Sequence, residues 1–592
     1  MKGKDILIYD IETDSEKPDK ANMKWFGFYS YKTNKYYELD LQEPELEDKK
    51  QLIKNVLASH KILVGFNNKH FDNAILKREG YSDFQYKVII DLWEISAPRG
   101  NGGFGKYNKN KLQNMGIKLK NFKLKSIIGV LKLDKENKGE LDYDIFKKDK
   151  WSKKEVEEIK KYLKQDIVLT KKLFEWFDEQ FTPLKEFLPK KDGNNFKHIS
   201  TSLASLGYQI ICNKAGLPVQ WEDNKDIIKN KKSFEGGHHI DPRWEKVKGN
   251  IAYIDFTSAY PHALMMGNLY SPSKQGWNGK GYYELQGTYN EKKQGKIELA
   301  LKDIFLKRLA AKKKGDKTKS TAYKIVINSS YGLTGNPVFK SLFNETTAAD
   351  CTKIVRTWMK KLAKTLEENE FTCLYGFTDS IIVKIPEESS LEELMYVVNT
   401  FIEDAKTKMP FPTDTFGMDV EHEIKFCWFV NKKHNCYLWL DKDNELYYKS
   451  TLLNTNAPQV VMDVFNDYIK PKIIKELDVN FTEKELENEL KGKLKQKPEL
   501  AAQEFKVGCK KEYKVTTSIN YQIANKYGEN MRVLLIPNTA NIGVGKSKQY
   551  CSIEEFKDKK LTVKHINVKP LMAFLKPFYS TMKNQTLTQN DL

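Results

Sequence analysis

The sequence predicts a multidomain chain of mixed α/β and α+β class, and three observations carry that prediction. Short runs of branched and apolar residues recur: DILIY at 5–9 before Asp10, KILVGF at 61–66 ending shortly before the acidic site at Asp72, and IAYIDF at 251–256 around Asp255. Runs of this length and composition suit buried strands. Helical periodicity dominates from about 152 to 181, and 592 residues at 40% hydrophobic content can fill several cores rather than one.

Taken in order, the first strand ends at Asp10 and the second just before another acidic site. Ser152 is placed to cap the long helix, with Glu155 three residues on. Together these make a self-contained α/β domain of roughly 190 residues. Inside it, NGGFGKYNKNK at 101–111 reads as an exposed basic loop, either simply solvated or touching a polyanion. Beyond a connector come the strand 251–256, helix-like segments near 301–314 and 320–332, and a strand pair bracketing Gly376 from about 371 to 385. The last 130 or so residues are Lys- and Glu-rich and carry no assignable chemistry. No repeat of solenoid length is present.

Lys and Arg number 99 against 79 Asp and Glu, a net charge of +20. A polyanionic partner is the natural inference, and a generically Lys-rich surface is the alternative. The seven cysteines are scattered with no C-x-x-C pair and no zinc spacing, so they read as reduced thiols in a cytosol-like compartment. No run reaches membrane-spanning length, and the first residues do not form a signal peptide.

Asp10 and Glu12 lie two apart at a strand end, so their side chains point to one side. Two carboxylates so placed can share a divalent cation, which takes oxygen ligands and serves in-line phosphoryl displacement. Further acids are then expected downstream, and two fit: Asp72 in Asn68-Lys69-His70-Phe71-Asp72, and Asp166 in Tyr162-Leu163-Lys164-Gln165-Asp166, where i and i+4 share a helix face. In this order, D-x-E, N-x-x-F-D and Y-x-x-x-D resemble the three exonuclease motifs of the proofreading domain of family B DNA polymerases, a ribonuclease H-like fold. The resemblance implies that Asp10, Glu12, Asp72 and Asp166 ligate two metals and that Tyr162 orients the attacking water. It further implies that Thr13, Asn68 and Phe71 hold a single-stranded 3′ end, and that Lys125 supports the reaction. Phe71 as a core aromatic and Lys125 as an ordinary surface lysine are the alternatives.

A second set follows. Asp255-Phe256-Thr257-Ser258-Ala259-Tyr260-Pro261 is similar to the polymerase motif D-x-x-S-L-Y-P, with Ala259 for Leu. By resemblance Asp255 and the Phe256 carbonyl are metal ligands, Ser258 lies at the nucleotide, and Tyr260 excludes a ribose 2′-hydroxyl. Lys324-Ile325-Val326-Ile327-Asn328-Ser329-Ser330-Tyr331-Gly332 matches the fingers motif K-x-x-x-N-S-x-Y-G. Lys324, Asn328 and Tyr331 fall on nearby helix faces, and Arg308 and Lys312, at i and i+4, resemble a pair that grips the triphosphate. For those two a plain solvated helix face is the alternative. Tyr375-Gly376-Phe377-Thr378-Asp379-Ser380 resembles Y-x-D-T-D-S, with Phe377 in place of the first Asp and Asp379 as the essential second acid. Phe234-Glu235-Gly236-Gly237 resembles the Y-x-G-G template element, and Lys433 and Tyr437 are similar to a stretched K-x-Y contact with primer-template. Thr378 joins these as a DNA contact.

The resemblance divides the chain into an exonuclease domain (1–190), a connector (191–250), a palm in two parts (251–300 and 336–455) around the fingers (301–335), and a thumb with the C-terminal region (456–592). It implies a DNA polymerase with 3′ to 5′ exonuclease, two Mg²⁺ or Mn²⁺ ions per site, and primer-template DNA and dNTPs as partners. Exonuclease motifs close to residue 1 and short motif spacings imply a small viral or mobile-element enzyme. Such an enzyme would extend a nucleic-acid primer as a monomer, alongside other replication proteins, in the cytoplasm of a bacterial host. An exonuclease with an impaired polymerase site and a non-catalytic DNA-binding replication factor are the alternatives.

Overall fold

Ile6-Leu7-Ile8-Tyr9 forms a strand as expected, but the strand does not stop at Asp10. It runs as β1 (Ile6–Thr13) because Asp10, Ile11, Glu12 and Thr13 stay paired with β2 (Met23–Ser30). The acids therefore project from a paired strand rather than from a loose end. This computed structural model describes residues 3–579 apart from 16, 42–44, 97–110, 118, 120–121, 135–140, 149, 231–232, 434, 450, 454–456, 508–514, 529–530 and 546. Residues 101–110 of the basic loop thus lie outside the described residues. The chain divides into two units, one of Met1–Arg99, Phe104–Lys231 and Lys296–Phe343, the other of Gly100–Gly103, Lys232–Gly295 and Asn344–Leu592.

The first unit is built on a five-stranded sheet of order β3-β2-β1-β4-β5, with β3 (Lys35–Asp40), β4 (Ile62–Gly65) and β5 (Val88–Asp91). β1, β2 and β3 are antiparallel, whereas β4 and β5 join β1 in parallel. Strands buried on both faces read as near-continuous apolar runs, which is how 6–9, 62–65 and 88–90 read. The long helix Lys153–Phe181 lies on this sheet and is capped by Ser152 and Glu155 in a reciprocal capping box, as the sequence predicts. The same unit holds the helices Lys296–Lys313 and Lys317–Thr334, which pack on each other and on Leu203–Ala215. A Cβ on Gly207 would stand 2.1 Å from Ser329 Oγ, so the missing side chain sets how close the last two helices come.

The second unit contains a seven-stranded sheet. Its strands are β6 (His238–Ile240), β7 (Lys246–Phe256), β9 (Thr372–Thr378), β10 (Ser380–Lys384), β11 (Met418–Phe429), β12 (Tyr437–Asp441) and β13 (Leu446–Tyr448), in the order β13-β12-β11-β7-β10-β9-β6. A separate strand, β8 (Pro272–Trp277), bridges to Tyr289. Gly376 sits within β9, not at the turn of the strand pair; the turn is at Asp379. The reason is lateral: a Cβ at 376 would meet Ile240 of β6 at 2.8 Å, so glycine lets the edge strand close. On one face of this sheet Phe256 stacks on Phe416, and Trp358, from the helix Glu345–Glu368, packs against both at a tilt. The opposite side gathers Tyr253, Tyr375, Phe377, Phe429, Tyr437 and Trp439. The C-terminal part adds helices and a small sheet, β14 (Gln503–Val507), β15 (Met531–Pro537) and β16 (Tyr550–Ser552). It is tied to the base of β7 where buried Lys246 donates to Asp478 at 2.6 Å and to the Val479 carbonyl at 2.9 Å.

Candidate active sites

In the first unit Asp10, Glu12 and Asp166 offer carboxylate oxygens that all lie within 4.8 Å of one another. Asp10 and Glu12 share a face of β1, and Asp166 comes down from the long helix, one turn after Tyr162. Three acids so close repel unless a cation lies among them, and an all-oxygen donor set suits a hard divalent ion. Asp72 is not among the three. It is the buried first residue of the helix Asp72–Arg78, and its Oδ1 accepts the N–H of Ile11, the residue between Asp10 and Glu12, at 3.2 Å. Burial pushes the Asp72 carboxyl up to about 7, and the Asp91 charge adds to the shift.

The remaining expected residues surround this cluster. Asn68 is fully buried and donates through Nδ2 to the Tyr9 hydroxyl at 3.0 Å; that hydroxyl in turn donates to Asn73. Burial and the Asp72 charge hold the Tyr9 phenol well above its ordinary value, so it remains an O–H donor. Gly65 provides the space, because a Cβ there would touch Asn68 at 2.7 Å. Phe71 is half-buried, Thr13 is buried with Oγ1 donating to the Ser15 carbonyl at 2.9 Å, and Lys125 is exposed on the helix Leu124–Val130.

Asp91 and Glu94 escape the motif reading. Asp91 closes β5 and accepts the N–H groups of Asn67 (2.9 Å), Lys69 (3.1 Å), Trp93 (3.0 Å) and Glu94 (3.4 Å). It thereby fixes the turn carrying Asn68, in which Asn67 takes a left-handed φ of 63°. Buried Glu94 pairs with Lys69 at 2.8 Å and faces His70 at 3.5 Å. A signal was available: Val88–Asp91 (VIID) is another apolar run closing on an acid, as at Asp10.

In the second unit Asp255 lies near the end of β7, directly opposite Ser380 of β10 and Asp419 of β11. The Phe256 N–H donates to the Asp379 carbonyl at 2.9 Å, which locks the 379 turn to this strand end. Tyr253, two residues before Asp255 on the same face, has its phenol raised by burial and by the charges of Asp255, Asp379 and Glu421. These carboxylates therefore lie within electrostatic reach of the Tyr253 hydroxyl. Asp419 is a further acid that the motifs did not mark, and the Thr257 hydroxyl lies 3.5 Å from it. Ser258 precedes the helix Ala259–Gly267 in a left-handed conformation (φ 54°), and half-buried Tyr260 follows. The Phe256 ring is buried.

Phe377 stands edge-on to the His239 ring at 4.8 Å, with Lys449 Nζ 5.1 Å over its own ring. Thr378 is held at φ 65°, and a Cβ on Gly237 would meet its Oγ1 at 3.1 Å. The segment Phe234-Glu235-Gly236-Gly237 thus leads into β6, whose His238 pairs with Thr378. Arg356 holds it from outside, donating to the carbonyls of Glu235 (2.7 Å) and Gly236 (3.0 Å). Lys433 is exposed, whereas Tyr437 is buried and stacks on Trp439 at 5.3 Å.

Lys324 and Asn328 form an exposed stripe on Lys317–Thr334, continued by half-buried Tyr331; Tyr323, Val326, Ile327 and Ser330 bury the other side. Arg308 and exposed Lys312 lie on the preceding helix, with Arg308 5.7 Å from the Phe305 ring centre. These residues belong to the first unit.

Residues 7–178 match the RNase_H superfamily, 108–292 match DNA polymerase type B, organellar and viral, and 282–504 match DNA polymerase family B. The chain belongs to the family B DNA polymerases. Among its relatives, DNA polymerase 1 of Saccharolobus solfataricus is 27% identical over 291 residues, 45% of this chain and 30% of that protein. The DNA polymerase of Archaeoglobus fulgidus is 24% identical over 490 residues, 75% of this chain and 57% of that protein. The DNA polymerase of Thermococcus gorgonarius is covered to 39%, so this family B chain matches well under half the length of the first curated relatives. The family B DNA polymerase from the hyperthermophilic archaeon Pyrobaculum calidifontis aligns with a TM-score of 0.61 at 13% identity, covering 98% of this chain and 78% of that one. That likeness supports the expected fold class, a ribonuclease H-like domain with a right-hand polymerase. Among the described residues no helix is long and apolar enough to cross a membrane, and the six described cysteines are free thiols.

Proposed function

We propose that the chain extends a DNA primer on a template with dNTPs and trims unpaired 3′ ends by hydrolysis. The observation that carries the reading is the presence in one family B chain of two separate acidic centres, one of Asp10 and Glu12 on β1 with Asp166 on the long helix, the other of Asp255 on β7 with Asp379 at the turn bonded to that strand end. When bound, divalent cations such as Mg²⁺ or Mn²⁺, two at each centre, would activate the attacking oxygen and neutralise charge on the phosphoryl group.

The chain's own residues do the rest. Asp255, Asp379 and the Phe256 carbonyl hold the metals of the polymerase centre, and Ser258 lies against the nucleotide. Tyr260 leaves no room for a 2′-hydroxyl. Arg308, Lys312 and Lys324 bind triphosphate oxygens, with Asn328 and Tyr331 beside them. At the exonuclease centre Asp10, Glu12, Asp166 and Asp72 hold the metals, and Tyr162 orients the water with support from Lys125. Asn68, Thr13 and a stacking Phe71 keep the single-stranded end in place. Phe234, Gly236, Gly237, Thr378, Lys433 and Tyr437 line the DNA. The domain limits follow the division given above. The net charge of +20 supports phosphate binding that weakens with salt. We place the chain as a monomeric viral or mobile-element replicase, working from a nucleic-acid primer with other replication proteins in a bacterial cytoplasm.

The test is an end-labelled primer-template with Mg²⁺, with and without dNTPs, beside Asp379→Ala. Extension that the variant loses, together with shortening that it keeps, supports both assignments. Shortening without extension in the wild type would leave the exonuclease alone and make Phe377 the mark of an impaired polymerase centre.

A further inference from the structure

Gly27 lies directly opposite Asp10 on the neighbouring strand and opposite Glu38 on the next, so the row Asp10–Gly27–Glu38 crosses the sheet on one face. Residues opposite each other in paired strands project to the same side. That side is covered by the helix Lys153–Phe181, which contacts all three strands. At Gly27 the helix comes down to the backbone. A Cβ there would lie 2.7 Å from Leu163 Cγ and 2.9 and 3.0 Å from its two methyl carbons, closer than real Cβ atoms come. Leu163 is fully buried in a cluster with Trp25, Phe146 and Ile159, so its side chain is hemmed in. Its neighbours in the helix are Tyr162, one residue before, and Asp166, three residues after and on the same face.

The geometry points to Gly27 as a positioning residue of the exonuclease centre, setting the height of the helix so that Asp166 meets Asp10 and Glu12. The backbone of Gly27 does not take a left-handed φ. A side chain is therefore excluded by space, not by conformation. Elsewhere in a strand, alanine for glycine would stabilise the fold by restricting the unfolded chain. Here it must lift the helix or tilt Leu163, and the carboxylate group, packed within 4.8 Å, opens. This inference rests on the exonuclease reading of that centre.

The experiment uses the full chain with Gly27→Ala, Leu163→Ala and the double variant. Trimming of a single-stranded oligonucleotide is measured against Mg²⁺ concentration, with primer extension in parallel. Mn²⁺ binding, by paramagnetic resonance in an Asp379→Ala background, supplies a readout independent of activity. Gly27→Ala is expected to lower the trimming rate about tenfold or more, raise the metal concentration for half-maximal rate, weaken Mn²⁺ binding, and leave extension unchanged. Removing the clashing atoms in the double variant is expected to restore trimming and metal binding towards wild type. Wild-type trimming and metal binding in Gly27→Ala would overturn the inference, and so would a double variant worse than either single one, the result expected of independent packing damage. A wild-type chain that does not trim at all would instead overturn the exonuclease reading itself.

Discussion

The Phe256 N–H donates to the Asp379 carbonyl over 2.9 Å, so the strand end that carries Asp255 and the turn that carries the second acid are one hydrogen-bonded piece. The other side of that turn is pressed by Gly237, where an added Cβ would stand 3.1 Å from Thr378 Oγ1 and 3.2 Å from Thr378 Cα. Thr378 already holds a φ of 65° and has little freedom to yield. Gly237→Ala should therefore displace Asp379 and cut extension roughly ten- to hundredfold, with trimming of single strands unchanged. Steady-state extension and trimming of the same preparation check this.

Phe377 occupies a built aromatic position against His239 and Lys449, in place of an acid. If Asp379 is the essential ligand, Phe377→Ala removes packing more than chemistry. The expected cost is about 1–2 kcal/mol of stability for a half-buried ring, with extension reduced less than about tenfold. Asp379→Ala should lose about a hundredfold or more at little cost in melting temperature. Melting curves and extension rates for both variants decide it; a Phe377→Ala chain as inactive as Asp379→Ala would mean that the ring does chemical work.

What the sequence made legible was local. Asp10 and Glu12 at i and i+2, Tyr162 and Asp166 at i and i+4, and Ser152 with Glu155 each need only the period of one element, and each stands as read. What stayed hidden depends on partners distant in sequence. The strand at 6–13 outlasts its apolar run because β2 pairs with its acidic end, and Gly376 lies within a strand because Ile240 needs the space. Asp91 carries an apolar run into an acid, yet its four N–H partners, and thus its role, appear only in the folded turn.

His198 gives the first unit an acid-sensitive point. Its Nε2 lies 2.7 Å from Asp178 Oδ1, while its Nδ1 is buried with no partner among the described residues. Burial thus holds the imidazole down at about 4, because protonation would put a second N–H where nothing accepts it. Unfolding frees it to titrate near 6.5. The unfolded state binds more protons between these values, so stability is full above about pH 6.5 and falls as pH drops towards 4. The loss is of order 3 kcal/mol. Melting temperature against pH should show this slope, and His198→Gln should flatten it.

If Asn68 holds a single-stranded end as proposed, Asp91 decides whether that clamp is preformed. Its carboxylate fixes the turn from Asn67 to Lys69, and Asn68 on that turn reaches Tyr9 inside the core. Asp91→Asn keeps the shape, but one carboxylate oxygen becomes an NH₂ that cannot accept from the backbone. Losing charge-assisted, buried hydrogen bonds costs about 1.5–3 kcal/mol, and the turn should loosen. Asp91 does not join the carboxylate triple, so the substitution removes no oxygen from that cluster. The expected signature is a KM for single-stranded ends raised about tenfold or more, with a smaller change in kcat. A selective fall in kcat would instead place Asp91 at the reacting phosphate.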